Sequence, residues 1–130
     1  MSQARYADLL VIGKVTAFGT QEGKHHASPY MEIAVQRTLG RRLAARTVRV
    51  LGDPGYLCRT GLGELVADRV YALILTGPVD GTAYELLGQC VQHYAELRNG
   101  SLYGRLTDED WKQNRDSSAP LARLEAVVGK

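Results

Sequence analysis

The run Arg69-Val70-Tyr71-Ala72-Leu73-Ile74-Leu75-Thr76 sets the tightest limit on the fold. It has strand length, it is rich in β-branched and aromatic residues, and it is apolar on both faces, so both faces need cover. Such a strand is central in a sheet or barrel. Four more segments read as its partners. Ala7–Phe18 places Val11 and Val15 on one face and Lys14 and Thr16 on the other, with Gly13 marking a bulge or bend. In Tyr30–Thr38, Met31, Ile33 and Val35 alternate with Glu32, Ala34 and Gln36. Thr47–Leu51 turns Val48 and Val50 inward, and Ala83–Leu87 follows a hairpin loop at Gly77-Pro78-Val79-Asp80-Gly81. Gly19–Pro29 is read as a long loop, Leu39–Ala45 as a basic turn, and Gly52-Asp53-Pro54-Gly55 as the start of an irregular stretch reaching Gly63. Five strands with short turns and one longer connection predict a mainly β fold, a five-stranded Greek-key barrel.

Helix is expected only late. Val91–Arg98 fits a helical face that ends at Asn99-Gly100. Thr107 is a helix cap with Asp108, Glu109 and Asp110 in the first turn, leading to Trp111. Ser117-Ser118-Ala119-Pro120 reads as a linker. Leu121–Val128 is a short amphipathic end whose Leu121, Leu124 and Val128 share a face that docks on the barrel or on a second copy as a homodimer. Residues 1–115 thus form the barrel domain with its following helix, and residues 116–130 a linker and tail. At 130 residues the chain suffices for one domain with its own core.

Charge and motifs narrow the function classes. The net charge of +2 is too small to imply a polyanion partner by itself. No apolar run approaches the roughly 20 residues of a membrane helix. Met1–Asp8 is polar and the apolar run after it is short, so no export signal is read. As written, the chain is expected in the cytoplasm; if an upstream signal has been removed, it is secreted, periplasmic or at the cell surface. Gly61-Leu62-Gly63 lacks the third glycine and following helix of a phosphate loop, and neither a Gly-x-Ser-x-Gly elbow nor a His-Glu-x-x-His pair occurs. Asp80 and Glu85 are the nearest thing to an acid–base pair, but an Asp before Gly in a hairpin has a structural reason. The chain therefore reads as non-catalytic and without a cofactor. His25-His26 has no third ligand at metal-site spacing. Arg37, Arg41, Arg42, Arg46 and Arg49 form the one basic cluster. It is read either as a charged strand edge or as a nucleic-acid patch, the latter weakened because the second and third strands offer only Tyr30 for base stacking. Tyr71, Tyr84, Tyr94 and Trp111 are expected in packing contacts. Cys58 and Cys90 are open to two readings, one disulfide or two buried thiols.

The strands and their joints resemble a family. Ala7-Asp8-Leu9-Leu10-Val11-Ile12-Gly13-Lys14-Val15, Tyr30–Gly40, Thr47-Val48-Arg49-Val50, Leu57-Cys58, Val70–Gly77, Asp80-Gly81 and Gln89-Cys90 are similar, in order and spacing, to netrin-like domains of the tissue-inhibitor-of-metalloproteinases (TIMP) type and their bacterial relatives. The matches span about residues 3–98. The resemblance implies an oligosaccharide/oligonucleotide-binding-type (OB-type) barrel, in agreement with the strand reading. It also implies a protein partner, an extracellular or periplasmic metalloprotease. Contact would come through the first loop, with His26 and Tyr30, and through Asp53, Pro54, Gly55, Tyr56, Leu57 and Arg59.

In the animal inhibitors, an N-terminal Cys-x-Cys is tied to the two positions matched here by Cys58 and Cys90. The amine and carbonyl of its first cysteine bind the protease zinc and displace the water the enzyme would activate. This chain begins Met1-Ser2-Gln3-Ala4-Arg5 and carries Arg59 where the family usually has glycine, so the zinc-binding wedge is missing from it. The resemblance then implies that Cys58 and Cys90 pair with each other in an oxidising compartment. Closing that loop of about 30 residues would stabilise the fold by roughly 3–4 kcal/mol.

Overall fold

The computed structural model describes residues 9–22, 27–40, 43, 45–52, 65–80, 83–86, 94–106 and 108–128. The strands are β1 (Leu9–Glu22), β2 (Ala27–Gly40), β3 (Thr47–Leu51), β4 (Val70–Asp80), β5 (Ala83–Leu86), β6 (Tyr94–Arg98), β7 (Ser101–Gly104) and β8 (Ser117–Pro120). Two helices follow β7: α1 (Asp108–Lys112) and α2 (Leu121–Val128).

The first five strands close a barrel in the order β1-β2-β3-β5-β4, with β4 returning to β1. Every neighbouring pair is antiparallel except β3 with β5, which run parallel. This is the OB-type arrangement expected from the strand count. The ladder also fixes how steeply the strands lean. Leu9 pairs with Leu75; from the adjacent Thr76 the rungs run through Glu85, Leu51 and Tyr30 and come back to β1 at Gly19. The return falls about ten residues further along β1, so the barrel is strongly sheared. A strand that serves both edges of such a barrel must bend. β1 does so at two register shifts, between Ile12 and Gly13 and between Val15 and Ala17. At Gly13 a Cβ would lie 2.4 Å from the Ile33 side chain and 2.7 Å from the Ala34 carbonyl oxygen, a space only glycine leaves open.

Two apolar layers explain why β1 and β4 are hydrophobic at successive positions. Leu9, Val11, Val15, Met31, Ile33, Val48, Val50, Tyr71, Leu73, Leu75, Tyr84 and Leu86 fill the barrel interior. Leu10, Ile12, Ala72 and Ile74 point outward and are covered by Ala95, Leu102 and Leu124. β6 pairs with the N-terminal half of β4, β7 with β6 and β8 with β7, so the sheet continues past the barrel, and α2 lies over its outer face. Each fully buried Leu, Ile or Val contributes about 1.5–3 kcal/mol, so both layers are needed.

Several stretches differ from the sequence reading; Gly77–Asp80, expected as hairpin loop, continue β4 with a register shift after Thr76, and Leu39 and Gly40, expected in a turn, continue β2. Tyr94–Arg98, expected as helix, is strand β6, because Asn99-Gly100 is a hairpin turn and not a helix cap. Both turn residues have positive φ, 50° and 79°, as a two-residue type I′ turn demands. Ser117–Pro120, expected as a linker, is strand β8, held by the β7 ladder. Most of the expected loop at Gly19–Pro29 is hairpin arm: Gly19 pairs with Tyr30, Thr20 with Pro29, Gln21 with Ser28 and Glu22 with Ala27. Leu121 and Leu124 of the tail lie against the barrel. Arg37 Nη1 reaches Glu125 Oε1 at 2.8 Å and holds α2 to β2.

Asp110 fastens the connection between β7 and β8. Its buried carboxylate accepts hydrogen bonds from the Leu106 N–H (3.0 Å), the Ser117 hydroxyl (2.5 Å) and Arg115 Nε (3.3 Å). Three donors satisfy a charge that would otherwise be costly to bury.

Candidate functional site

The parallel pairing of β3 with β5 decides where the chain leaves the barrel. Arg49, Val50 and Leu51 stand beside Ala83, Tyr84 and Glu85, so the two strands finish at the same end, at Leu51 and Leu86. Cys58 follows the first exit and Cys90 the second. Leu86 pairs with Leu75 and Leu75 with Leu9, which puts the entry to β1 two strand spacings, about 10 Å, from the exit of β5. The hairpin arm of β1 and β2 rises at the same end, since Gly52, the residue after β3, donates its N–H to the Pro29 carbonyl at 2.8 Å. The described ends of β3 and β5 and the β1–β2 hairpin arm therefore share one end of the barrel.

Of the residues singled out, Tyr30, Arg37, Arg46 and Arg49 belong to the described part of the structure. His26, Asp53, Pro54, Gly55, Tyr56, Leu57, Arg59, Arg41, Arg42 and both cysteines, Cys58 and Cys90, lie outside the described residues, as does His25.

Tyr30 and Arg49 form a layered contact on the outward face of β1–β3. Gly19 is the cross-strand partner of Tyr30, and a Cβ at Gly19 would come within 2.5 Å of the tyrosine ring, so the ring lies directly on the glycine. The Arg49 guanidinium carbon sits 3.9 Å above the same ring. Arg49 Nη1 donates to Gln21 Oε1 at 3.1 Å, and Nη2 approaches Glu32 Oε1 at 3.4 Å. The result is a stacked patch whose positive charge is met locally by Glu32.

The three described members of the basic cluster have separate surroundings. Arg37 is turned to α2 and Glu125, while Arg49 is stacked on Tyr30 and paired with Glu32. Arg46 is exposed, and its carbonyl accepts from the Val35 N–H at 2.8 Å. Closeness in sequence had suggested a patch. Arg37 and Arg49 both point outward, but they stand on different strands at different levels, one beside α2 and the other on Tyr30.

Among the described residues no group of three or more His, Cys, Asp or Glu side chains stands together as a metal site would need. Among them, too, no helix is long and apolar enough to cross a membrane. Tyr71 and Tyr84 are core residues, and Tyr94 meets Tyr71 edge to face with ring centroids 5.8 Å apart. Sequence reasoning missed the surface of the β6–β7 hairpin, where Glu96, Arg98 and Tyr103 come together. The alternation of Glu96, Arg98 and then Tyr103 across Asn99-Gly100 is the signal that would have revealed it. Comparison with known protein families, with curated proteins and with solved structures gives no match to this chain.

Proposed function

We propose that this chain is a non-catalytic protein-binding module of the TIMP/netrin-like type. One observation carries the reading. The parallel β3–β5 pair and the Gly52–Pro29 hydrogen bond put the exits of β3 and β5 and the β1–β2 hairpin arm at one end of the barrel, and the Leu75 rungs set Leu9 about 10 Å from Leu86. A binding end assembled from several chain segments on a rigid, filled barrel is the usual way a β scaffold recognises a protein. By the resemblance, the partner is a metalloprotease outside the cytoplasm, met by His26, Tyr30 and the Asp53–Arg59 segment. Cys58 and Cys90 pair with each other.

The alternative, single-stranded nucleic-acid binding through Arg37–Arg49, has less support, because Arg37 and Arg49 each face a carboxylate of their own fold. Two measurements test the proposal. Unreduced protein treated with an alkylating reagent should leave both thiols unlabelled, whereas full labelling of Cys58 and Cys90 counts against it. An immobilised panel of metalloprotease catalytic domains should retain the chain. Absence of binding across the panel, together with salt-sensitive binding to a single-stranded oligonucleotide, would overturn it in favour of the alternative.

A further inference from the structure

Beyond the barrel, the β6–β7 hairpin carries a face that the reading above does not use. Directly paired residues point to the same side of a sheet. Tyr71 pairs with Glu96 and Glu96 with Tyr103, so these three share the side of the sheet that faces the barrel interior. Arg69 and Arg98, two residues from Tyr71 and Glu96 along their strands, join them. The contacts agree with the register. Arg69 Nη1 lies 3.8 Å from Glu96 Oε2, and Arg98 Nε lies 3.3 Å from Glu96 Oε1. The Arg98 guanidinium carbon stands 4.5 Å from the centre of the Tyr103 ring. Val66 is tied to the same group by its N–H, which donates to the Tyr71 hydroxyl at 2.9 Å. The opposite side of the hairpin is closed, because Ala95 and Leu102 are buried there beneath α2.

Charge decides what can sit on the open side. The Arg69 and Arg98 side chains are 55% and 58% exposed, and they share one carboxylate, Glu96, which is only 15% exposed. The trio therefore keeps one positive charge in excess. Among the described residues, Tyr103 at 38% and Val66 at 44% are large apolar side chains left open to water. A solvent-facing arginine stacked on an exposed tyrosine is the kind of pair that dominates protein interfaces. The fixed Glu96 between the two arginines disfavours a chain of phosphates, whereas one excess cation matches one carboxylate.

We propose that the Arg69–Glu96–Arg98–Tyr103 face of the β6–β7 hairpin docks a protein segment that carries a single carboxylate beside an aromatic side chain. The carboxylate meets Arg98 and Arg69, and the aromatic ring lies against Tyr103 and Val66. Its residues belong to β6, β7 and the approach to β4, and the proposal does not rest on the function proposed above.

The test is a titration of the full ¹⁵N-labelled chain with the capped tripeptide acetyl-Phe-Asp-Phe-amide, read by amide chemical shifts. Saturable shifts are expected at Arg69, Glu96, Arg98 and Tyr103, with an affinity on the order of 1 mM for so small a probe. Replacing the probe's Asp by Asn should weaken it about fivefold or more, and Arg98→Gln in the protein should do the same. If Arg98→Gln disturbs the dispersion of the spectrum, Arg69→Gln serves in its place. Shifts elsewhere, no shifts, or equal shifts with the Asn probe would overturn the proposal. So would shifts of these amides on concentrating the protein alone, which would mark a second copy as the occupant, or a preference of the same amides for a single-stranded oligonucleotide.

Discussion

Gly13→Ala probes the bend that lets β1 serve both edges of the barrel. The added methyl would stand 2.4 Å from the Ile33 side chain and 2.7 Å from the Ala34 carbonyl oxygen. Ile33 is fully buried in the barrel, and Lys14, the next residue of β1, pairs with Ala34, so neither neighbour can retreat without loosening the β1–β2 ladder. Overfilling a tight core site costs about 3 kcal/mol when the backbone must shift. Replacing glycine by alanine also stiffens the unfolded chain, which returns about 0.5–1 kcal/mol. The net destabilisation is therefore about 2–2.5 kcal/mol, equivalent to a fall in Tm of roughly 8–10 °C for a domain of this size. Urea unfolding followed by far-ultraviolet circular dichroism gives the value directly, and an unchanged slope would show that the unfolded state is the same. A variant within about 0.5 kcal/mol of the parent would refute the reasoning, since a β1 with room for a side chain at position 13 is not bent against β2 in this way.

Other substitutions test separate parts of the fold. Gly100→Ala has open space around its new methyl but sits at φ +79°, so it should cost about 1 kcal/mol in the same unfolding experiment; a neutral result would remove the type I′ turn. Asp110→Ala strips the acceptor from Leu106, Ser117 and Arg115, with an expected loss of about 3 kcal/mol and faster amide exchange at Leu106. Leu124→Ala empties a buried position between α2 and the barrel and should cost about 2–3 kcal/mol, with the α2 amides losing protection first. Arg37→Ala breaks a largely exposed pair with Glu125 and should change stability by no more than about 1 kcal/mol, an effect that fades in high salt.

The barrel was legible because its strands are determined by patterns the sequence displays. Met31, Ile33, Val48 and Val50 alternate with polar residues on strands with one wet face, and Val70–Leu75 is apolar throughout because Ala72 and Ile74 are covered from outside by β6, β7 and α2. Gly13 signalled the bend. β6 was harder. Tyr94, Ala95 and Leu97 satisfy a helical spacing as well as a strand, and only the φ signs at Asn99 and Gly100 separate a hairpin from a helix end. β8 has no strand propensity in Ser-Ser-Ala-Pro and exists because β7 offers it a ladder. The site was less legible for a related reason. Sequence proximity grouped Arg37 with Arg49, while the β2 register turns Arg37 towards α2 and the β3 register sets Arg49 on Tyr30. Tertiary pairing likewise brought Arg69 to the hairpin's Glu96, Arg98 and Tyr103, and no local period predicts that approach.

The shared exit of β3 and β5 can be read from nuclear Overhauser contacts between the two strands. Inter-strand contacts linking Arg49 with Ala83, Val50 with Tyr84 and Leu51 with Glu85 in the parallel pattern are expected, along with antiparallel contacts from Leu9 to Leu75. Antiparallel contacts between β3 and β5, or none, would leave the two cysteine-bearing segments departing from different ends and would contradict the binding end built from them.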